Sequence, residues 1–215
     1  MSKTLILIPS RLSATRLPGK PLLEINGIPM ILHVVNKALS TKIGRVIVAT
    51  EDKEIFDVVK ESGNEVLMTG SHHKTGTDRI YEALTKLKLN ETEYIINLQG
   101  DLPQINRECL IAVVNLLTEE AVDIGTLACE MTNPDEINSN SIVKAIADIN
   151  STTQIGQAIN FTRNAETSVN GNHLHHIGLY AYTRTALAKF VQLPQSVREK
   201  EEKLEQLRAL DNQMR

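Results

Sequence analysis

The feature that most constrains the fold is the alternation, through the first half of the chain, of short apolar runs with longer amphipathic segments. Leu5–Ile8, Val46–Ala49, Glu65–Met68 and Tyr94–Leu98 have the length and composition of buried strands. The segments between them have a helical period. Met30–Leu39 is apolar on most faces and follows Pro29, which suits a first helical position. Asp52 can cap a helix whose Ile55, Val58 and Val59 share a stripe, with Gly63 just past its end. Ile80, Leu84 and Leu87 mark a third helix, and Asn106 can cap a fourth that carries Leu110, Val113, Val114 and Leu117. Strands that are apolar along their length must be covered on both faces, and helices between them supply the crossovers of a parallel sheet. The expected fold is therefore α/β: a three-layer α/β/α arrangement around a mostly parallel sheet.

The second half is less regular. Ile142–Ile149, Ala158–Phe161 and His176–Tyr182 read as further strands, so the sheet is expected to be mixed. Asn164–Leu174 is polar and rich in Gly and Asn, the pattern of a mobile loop. Arg198–Arg215 reads as one charged helix with a narrow Leu204, Leu207, Leu210, Met214 stripe, its charges forming a solvated face. With no internal repeat, low-complexity tract or linker, residues 1–215 are expected to form a single domain, here of nucleotidyltransferase type for the reasons below.

Charge and composition exclude several functions. Lys and Arg number 23 against 26 Asp and Glu, a formal net charge of −3, which is not the basic excess of a nucleic-acid binder. Aromatic residues are 3% with no Trp, so stacking platforms for single strands are absent as well. No run approaches the ~18 apolar residues of a membrane span, and the apolar start is too short for a signal-peptide core. A cytoplasmic protein with no membrane partner is expected. Cys109 and Cys129 form no Cys-x-x-Cys pair and lie in apolar stretches, as small core residues would in a reducing compartment.

In an open parallel sheet, ligands bind beyond the carboxyl ends of the strands. The loop after the first strand, Pro9 to Pro21, gathers the cations Arg11, Arg16 and Lys20 with the hydroxyls of Ser10, Ser13 and Thr15. Fixed positive charges at that edge suit a polyphosphate, although a solvated basic loop would look similar. It is not a Walker A loop, since Lys20 is followed by Pro21, and no Gly-x-Gly occurs anywhere. After Tyr94–Leu98 comes Gln99-Gly100-Asp101-Leu102-Pro103, where Asp101 is placed to hold Mg²⁺ against phosphate oxygens or else to serve a turn. Gly100 would let a ligand approach the backbone. A third polar loop, His73 to Arg79, supplies hydroxyls and amides for a base or ribose. His72-His73 and His173-x-His175-His176 have no carboxylate or thiolate at ligand spacing, which argues against zinc. No Gly-x-Ser-x-Gly is present for acyl transfer.

Together these stretches resemble the 3-deoxy-manno-octulosonate (Kdo) cytidylyltransferases. The resemblance rests on Ile8-Pro9-Ser10-Arg11 with Ser13 to Leu22, on Asn26-Gly27-Ile28-Pro29-Met30-Ile31, and on Arg45 to Thr50. It continues through Met68-Thr69, Thr75-Gly76-Thr77-Asp78-Arg79, Gln99-Gly100-Asp101-Leu102-Pro103, His176 to Tyr182 and Leu204-Glu205-Gln206-Leu207-Arg208. It implies a nucleotide-diphospho-sugar transferase-like fold, and transfer of CMP from CTP to Kdo with Mg²⁺ and release of pyrophosphate, for lipopolysaccharide synthesis in a Gram-negative cytoplasm. The family tends to form homodimers. By resemblance Arg11 and Lys20 clamp the triphosphate, with Pro9 and Ser10 beside them and Arg16 supporting the loop. Thr75, Gly76, Arg79 and Gln99 line the cytidine pocket, and Asp101 ligates metal. Arg163, His176, Tyr180, Glu205 and Gln206 face the acidic sugar.

The chain departs from the family pattern in three places. Asn164 to Val169 replaces an Ala-Thr-Ile-Pro stretch with a second Arg, and Leu102 stands where Glu is usual. The family also continues to a Val-Asp-Thr-Pro-Glu-Asp-Leu segment with a second metal-binding Asp, so a missing C-terminal segment is expected here. A sialate-type synthetase and a non-catalytic nucleotide-binding remnant are the alternatives to a Kdo enzyme.

Overall fold

The computed structural model describes the chain apart from residues 1–2, 14–16, 120–121 and 165–172. Most of the expected loop at Asn164–Leu174 therefore lies outside the described residues. The chain divides into two compact units, Met1–Gly125 with Leu179–Val191, and Thr126–Gly178 with Gln192–Arg215.

In the first unit β1 (Thr4–Ser10) is followed by a 3-10 turn (Lys20–Leu22) and a small ribbon of β2 (Glu24–Ile25) and β3 (Ile28–Pro29). Then come α1 (Met30–Thr41), β4 (Arg45–Thr50), α2 (Lys53–Glu61), β5 (Val66–Met68), α3 (Gly76–Leu87), β6 (Tyr94–Leu98) and α4 (Arg107–Glu119). β1 is central and parallel to both neighbours, with Leu7 opposite Ile47 of β4 and Asn97 of β6. β5 adds in parallel to β4. On the far side of β6 a later strand, contributing Leu179–Thr183, pairs antiparallel and makes the sheet mixed. Leu5 and Leu7 pack with Ile47, Ile80, Leu84 and Ile95 beneath α3. Their alternates Ile6 and Ile8 are equally buried and face the other way, where α1 and α4 cover the sheet. Three layers result, as the apolar strand runs require.

The helix boundaries follow the sequence signals with small shifts. Pro29 ends β3 and stands just before α1 rather than at its first position. Asn106 caps α4, accepting from the Cys109 N–H at 2.9 Å. Asp52 takes the N-cap position of α2, but its carboxylate, instead of bonding the helix, accepts from the Leu12 N–H at 2.7 Å and holds the first loop.

The second unit contains the outer part of β7 (Ile124–Glu130), α5 (Pro134–Asn138), β8 (Lys144–Ile149), β9 (Gly156–Thr162) and the start of β10 (Leu174–Thr183). β8 pairs antiparallel with β9 and with Leu174–His175 of β10. After α6 (Arg184–Gln192) come α7 (Val197–Glu202) and α8 (Leu207–Asp211). The chain passes between units inside β7, inside β10 and at the end of α6, never through a linker. That is why composition marks no boundary.

Three expectations are corrected here. Arg198–Arg215 is not one helix: Lys203 adopts a left-handed conformation (φ 56°), and the N–H groups of Lys203 and Leu204 both reach the Glu199 carbonyl, ending α7. Nor are all its charges a solvated face. Glu199 and Arg208 are 4% and 3% exposed and form a bidentate pair at 2.6 and 2.8 Å. Burial pushes the Glu199 carboxyl up, but hydrogen bonds from Arg208 and Gln195 hold it below the ordinary carboxylate range. Leu204 and Leu207 stay buried with Ala145 and Phe161. The cysteines are a further correction: Cys109 is half-buried and Cys129 exposed on the outer part of β7. Among the described residues, no helix is long and apolar enough to cross a membrane.

Removing one partner of the buried pair leaves the other charge without compensation. Arg208→Ala is expected to destabilise the fold by about 3–5 kcal/mol, read by urea unfolding. A cost under ~1 kcal/mol would mean that water reaches Glu199.

Candidate active site

Because β1, β4 and β6 run parallel, the residues that leave them emerge along one edge of the sheet. A cavity of about 200 Å³ opens there, wholly within the first unit. The end of β1 contributes Pro9, Ser10 and Arg11, and the 3-10 turn contributes Lys20 and Pro21. Thr75, Gly76 and Arg79 enter from the start of α3, Gln99, Gly100 and Asp101 from the loop after β6, and Met30 from α1. The structure thus gathers the residues expected around a nucleotide in one cavity, with Arg16 outside the described residues.

Charge is balanced across the opening. Lys20 Nζ lies 2.9 Å from Asp101 Oδ2, with both side chains partly exposed, while Arg11 is exposed at the rim. Thr75 caps α3: its Oγ1 accepts from the Asp78 N–H and donates to Asp78 Oδ2. Asp78 is therefore committed to the helix start. Gln99 donates through Nε2 to Asn97 Oδ1 at 3.0 Å, and Asn97 in turn donates to Thr77 Oγ1. These hydrogen bonds fix the Gln99 side chain where it lines the cavity.

Arg79 behaves differently from a ligand-seeking cation. It is 2% exposed, pairs with Glu51 at 2.7 Å, and donates to Thr69 Oγ1 and the Gly70 carbonyl. Its guanidinium fastens the loop after β5 to the loop after β4. Gly100, which lines the cavity, has a packing reason to be glycine as well. A Cβ there would stand 3.1 Å from the Pro9 carbonyl and 3.3 Å from Ile31 Cδ1, so the glycine lets the loop pack on β1 itself.

Glu51 and Asp52 are functional neighbours that the reading of the sequence missed. Both directly follow β4 and so lie on the same strand edge; applying the carboxyl-end rule to that strand would have found them.

Ser10 Oγ is buried on the cavity wall without a hydrogen-bond partner. With Asp101 it offers hard oxygen donors, the set that suits a divalent cation bound mainly through substrate phosphates. The donor set therefore fits such a cation, with Asp101 as its carboxylate.

The residues expected at the sugar are distributed over both units. Tyr180 is on the half of β10 that belongs to the first unit, opposite Asn97 of β6. In the second unit, Arg163 is tethered through both its backbone and its side chain. Its N–H donates to Glu202, its carbonyl accepts from Lys144 Nζ at 2.8 Å, and its guanidinium donates to the carbonyls of Asn140 and Ser141. Lys144 is fully buried, and burial followed by the charge of Arg163 lowers its pKa. Glu205 and Gln206 form the turn between α7 and α8, both half-buried. His176 is buried, 3.0 Å from Thr126 Oγ1 and edge-on to Phe161 at 4.8 Å.

Burial, reinforced by the neighbouring His175, brings the His176 pKa down to about 4 from 6.5. Between those values the unfolded imidazole binds a proton and the folded one does not. The stability that the neutral ring contributes is complete above pH 6.5 and is lost as the pH falls toward 4, by about 3 kcal/mol at most. His176→Gln is expected to flatten this part of the stability–pH curve in denaturant titrations. An unchanged slope would place the titration elsewhere.

A cationic loop facing a carboxylate across the edge of a parallel α/β sheet, without a Walker A loop, marks a nucleotidyltransferase-type fold. Residues 5–215 match a family model described as cytidylyltransferase. The chain belongs to the cytidylyltransferase family. A protein named 3-deoxy-manno-octulosonate cytidylyltransferase from Rhodopseudomonas palustris (strain HaA2) is 50% identical, over 99% of this chain and 87% of its own length. One of the same name from Paramagnetospirillum magneticum is 45% identical, over 98% and 86%. A solved structure of CMP:2-keto-3-deoxy-manno-octonic acid synthetase complexed with CTP superposes with a TM-score of 0.87 at 35% identity, covering 99% of this chain and 87% of that one.

Proposed function

We propose that this chain transfers CMP from CTP to 3-deoxy-manno-octulosonate, releasing pyrophosphate. The observation that carries the reading is the single cavity in which Arg11, Lys20, Gln99 and Asp101 meet at the strand edge. The relatives named for this activity favour it over a sialate-type acceptor. In the reaction, the anomeric hydroxyl of the sugar attacks the α-phosphorus of CTP, and the bond to the β-phosphate oxygen breaks. No protein nucleophile is required, so positioning and charge neutralisation supply the rate.

Each residue has a physical role on this reading. Arg11 and Lys20 hold the β- and γ-phosphates and stabilise the charge of the departing pyrophosphate. Lys20 already sits at the cavity mouth, so it needs only to exchange Asp101 for phosphate. The Gln99 side-chain amide oxygen accepts a hydrogen bond from the nucleotide, with Thr75, Gly76 and Arg79 shaping the wall. A divalent cation, Mg²⁺ on this reading, would be held by Asp101 and neutralise phosphate charge. Arg163 suits the acceptor carboxylate, and His176, Tyr180, Glu205 and Gln206 suit its hydroxyls. The setting is a bacterial cytoplasm. The protein works as a homodimer on the same reading; Ile159 and Val197, 61% and 70% exposed in the second unit, offer apolar surface for it.

The test is pyrophosphate release with CTP, UTP, ATP or GTP, each offered with Kdo or sialate; release with CTP and Kdo is expected to exceed every other pair. Lys20→Ala should weaken CTP binding about tenfold or more in calorimetry, since a charge-assisted hydrogen bond contributes about 1.5–3 kcal/mol. Its thermal midpoint should hardly move, because the exposed Lys20–Asp101 pair is worth ~0–1 kcal/mol. Asp101→Asn should remove Mg²⁺-dependent turnover. Unaltered CTP affinity in Lys20→Ala would overturn the clamp.

A further inference from the structure

A second cluster of ligating groups lies on the loop between β5 and α3, apart from the cavity lining. His72, His73 and Glu82 of α3 bring one ligand atom each to within 4.8 Å of one another. The two imidazole rings stand side by side, 4.2 Å between centroids and tilted by 42°. His73 Nε2 meets Glu82 Oε2 directly, and both side chains are largely buried. His72 is exposed and closes the open side.

The surroundings hold this arrangement in place. The Gly70 N–H donates to Glu82 Oε2 at 2.9 Å. A Cβ on residue 70 would lie 2.5 Å from the His72 ring, so the glycine is what allows that ring to fold back over the loop. Glu82 divides its oxygens: Oε1 takes the Lys86 ammonium at 2.5 Å, while Oε2 faces the imidazole side. Partial burial pushes the Glu82 carboxyl up, but hydrogen bonds from Lys86, His73 and Gly70 outweigh it and bring the pKa down to about 2.

We infer that His72, His73 and Glu82 form a binding site for a zinc-class divalent cation, independent of the nucleotide cavity. Two imidazoles with one carboxylate is a donor set that borderline transition metals favour and that Mg²⁺, which prefers oxygen, does not. A bound cation would be shared by His73 and Glu82 in place of their direct contact. Lys86 on Oε1 then serves as the outer partner that fixes the ligating carboxylate. The exposed side of His72 provides the entry path, and water completes the coordination. A bound ion would tie Gly70–His73 to α3, the helix whose first residues line the nucleotide cavity.

Zinc chloride titrated into the chelator-stripped full chain should show one equivalent bound, with a rise in thermal midpoint. His72→Ala alters an exposed side chain and keeps the fold, checked by circular dichroism; it should weaken binding at least tenfold, and His73→Ala likewise. Asp101→Asn and His175→Ala should leave the affinity unchanged, and excess Mg²⁺ should not compete. Co²⁺ as a probe should give visible ligand-field bands that His72→Ala abolishes. The inference is overturned if zinc does not bind, if His72→Ala binds it as well as the parent chain, or if Asp101→Asn or His175→Ala removes the binding.

Discussion

β1 is paired through parallel ladders on both sides and buried on both faces, and the rest of the first unit is arranged around that fact. Each of its buried Leu and Ile side chains contributes about 1.5–3 kcal/mol. No exposed ion pair at the strand edge, worth ~0–1 kcal/mol, competes with that. The core therefore fixes where the loops emerge, and the chemistry is carried by whatever those loops present. Asp52 binding the Leu12 N–H and Arg79 bridging Glu51 to Thr69 extend the same rigidity outward, one loop fastening the next.

What could be read in the sequence divides along physical lines. The parallel half was legible because a strand buried on both faces is apolar throughout and its crossover helices keep a 3.6-residue period. The cavity was legible for a related reason: Arg11, Gln99 and Asp101 follow closely on recognisable strands, and Lys20 ends the loop that leaves the first of them. Local spacing failed where distant segments supply the partner. Glu82 lies nine residues beyond His73 in sequence, yet meets its imidazole, so local spacing shows no carboxylate near the histidine pair. Arg208 and Glu199 look like ordinary surface charges until the break at Lys203 folds them inward. The packing of Gly100 against Pro9 depends on a contact between two segments that no local pattern encodes.

The second unit is organised by polar groups to a degree that the first is not. Lys144, fully buried, spends its ammonium on the carbonyls of Ser139 and Arg163. Glu202 takes the Arg163 N–H, and the Glu199–Arg208 pair braces the turn that carries Glu205 and Gln206. Its apolar cluster of Ala145, Phe161, Leu204 and Leu207 is small. Buried charges must be satisfied in one geometry or not at all, so such a unit gains definition of shape where it lacks apolar area.

The late arrival of β10 has a consequence for synthesis. Leu98 of β6 pairs with Leu179, and Tyr182 and Leu187 complete the core beneath Leu5 and Leu7. Until the ribosome has delivered those residues, the nascent first unit carries an open strand edge and an unfilled apolar face. Everything between β6 and β10, including most of the second unit, must be translated before that edge is closed. Unpaired edges recruit other strands, and non-local pairing is slow. The vulnerable moment of this chain is thus set by the order in which its strands are made, and a growing polypeptide stalled before Leu179 is the form most in need of a chaperone.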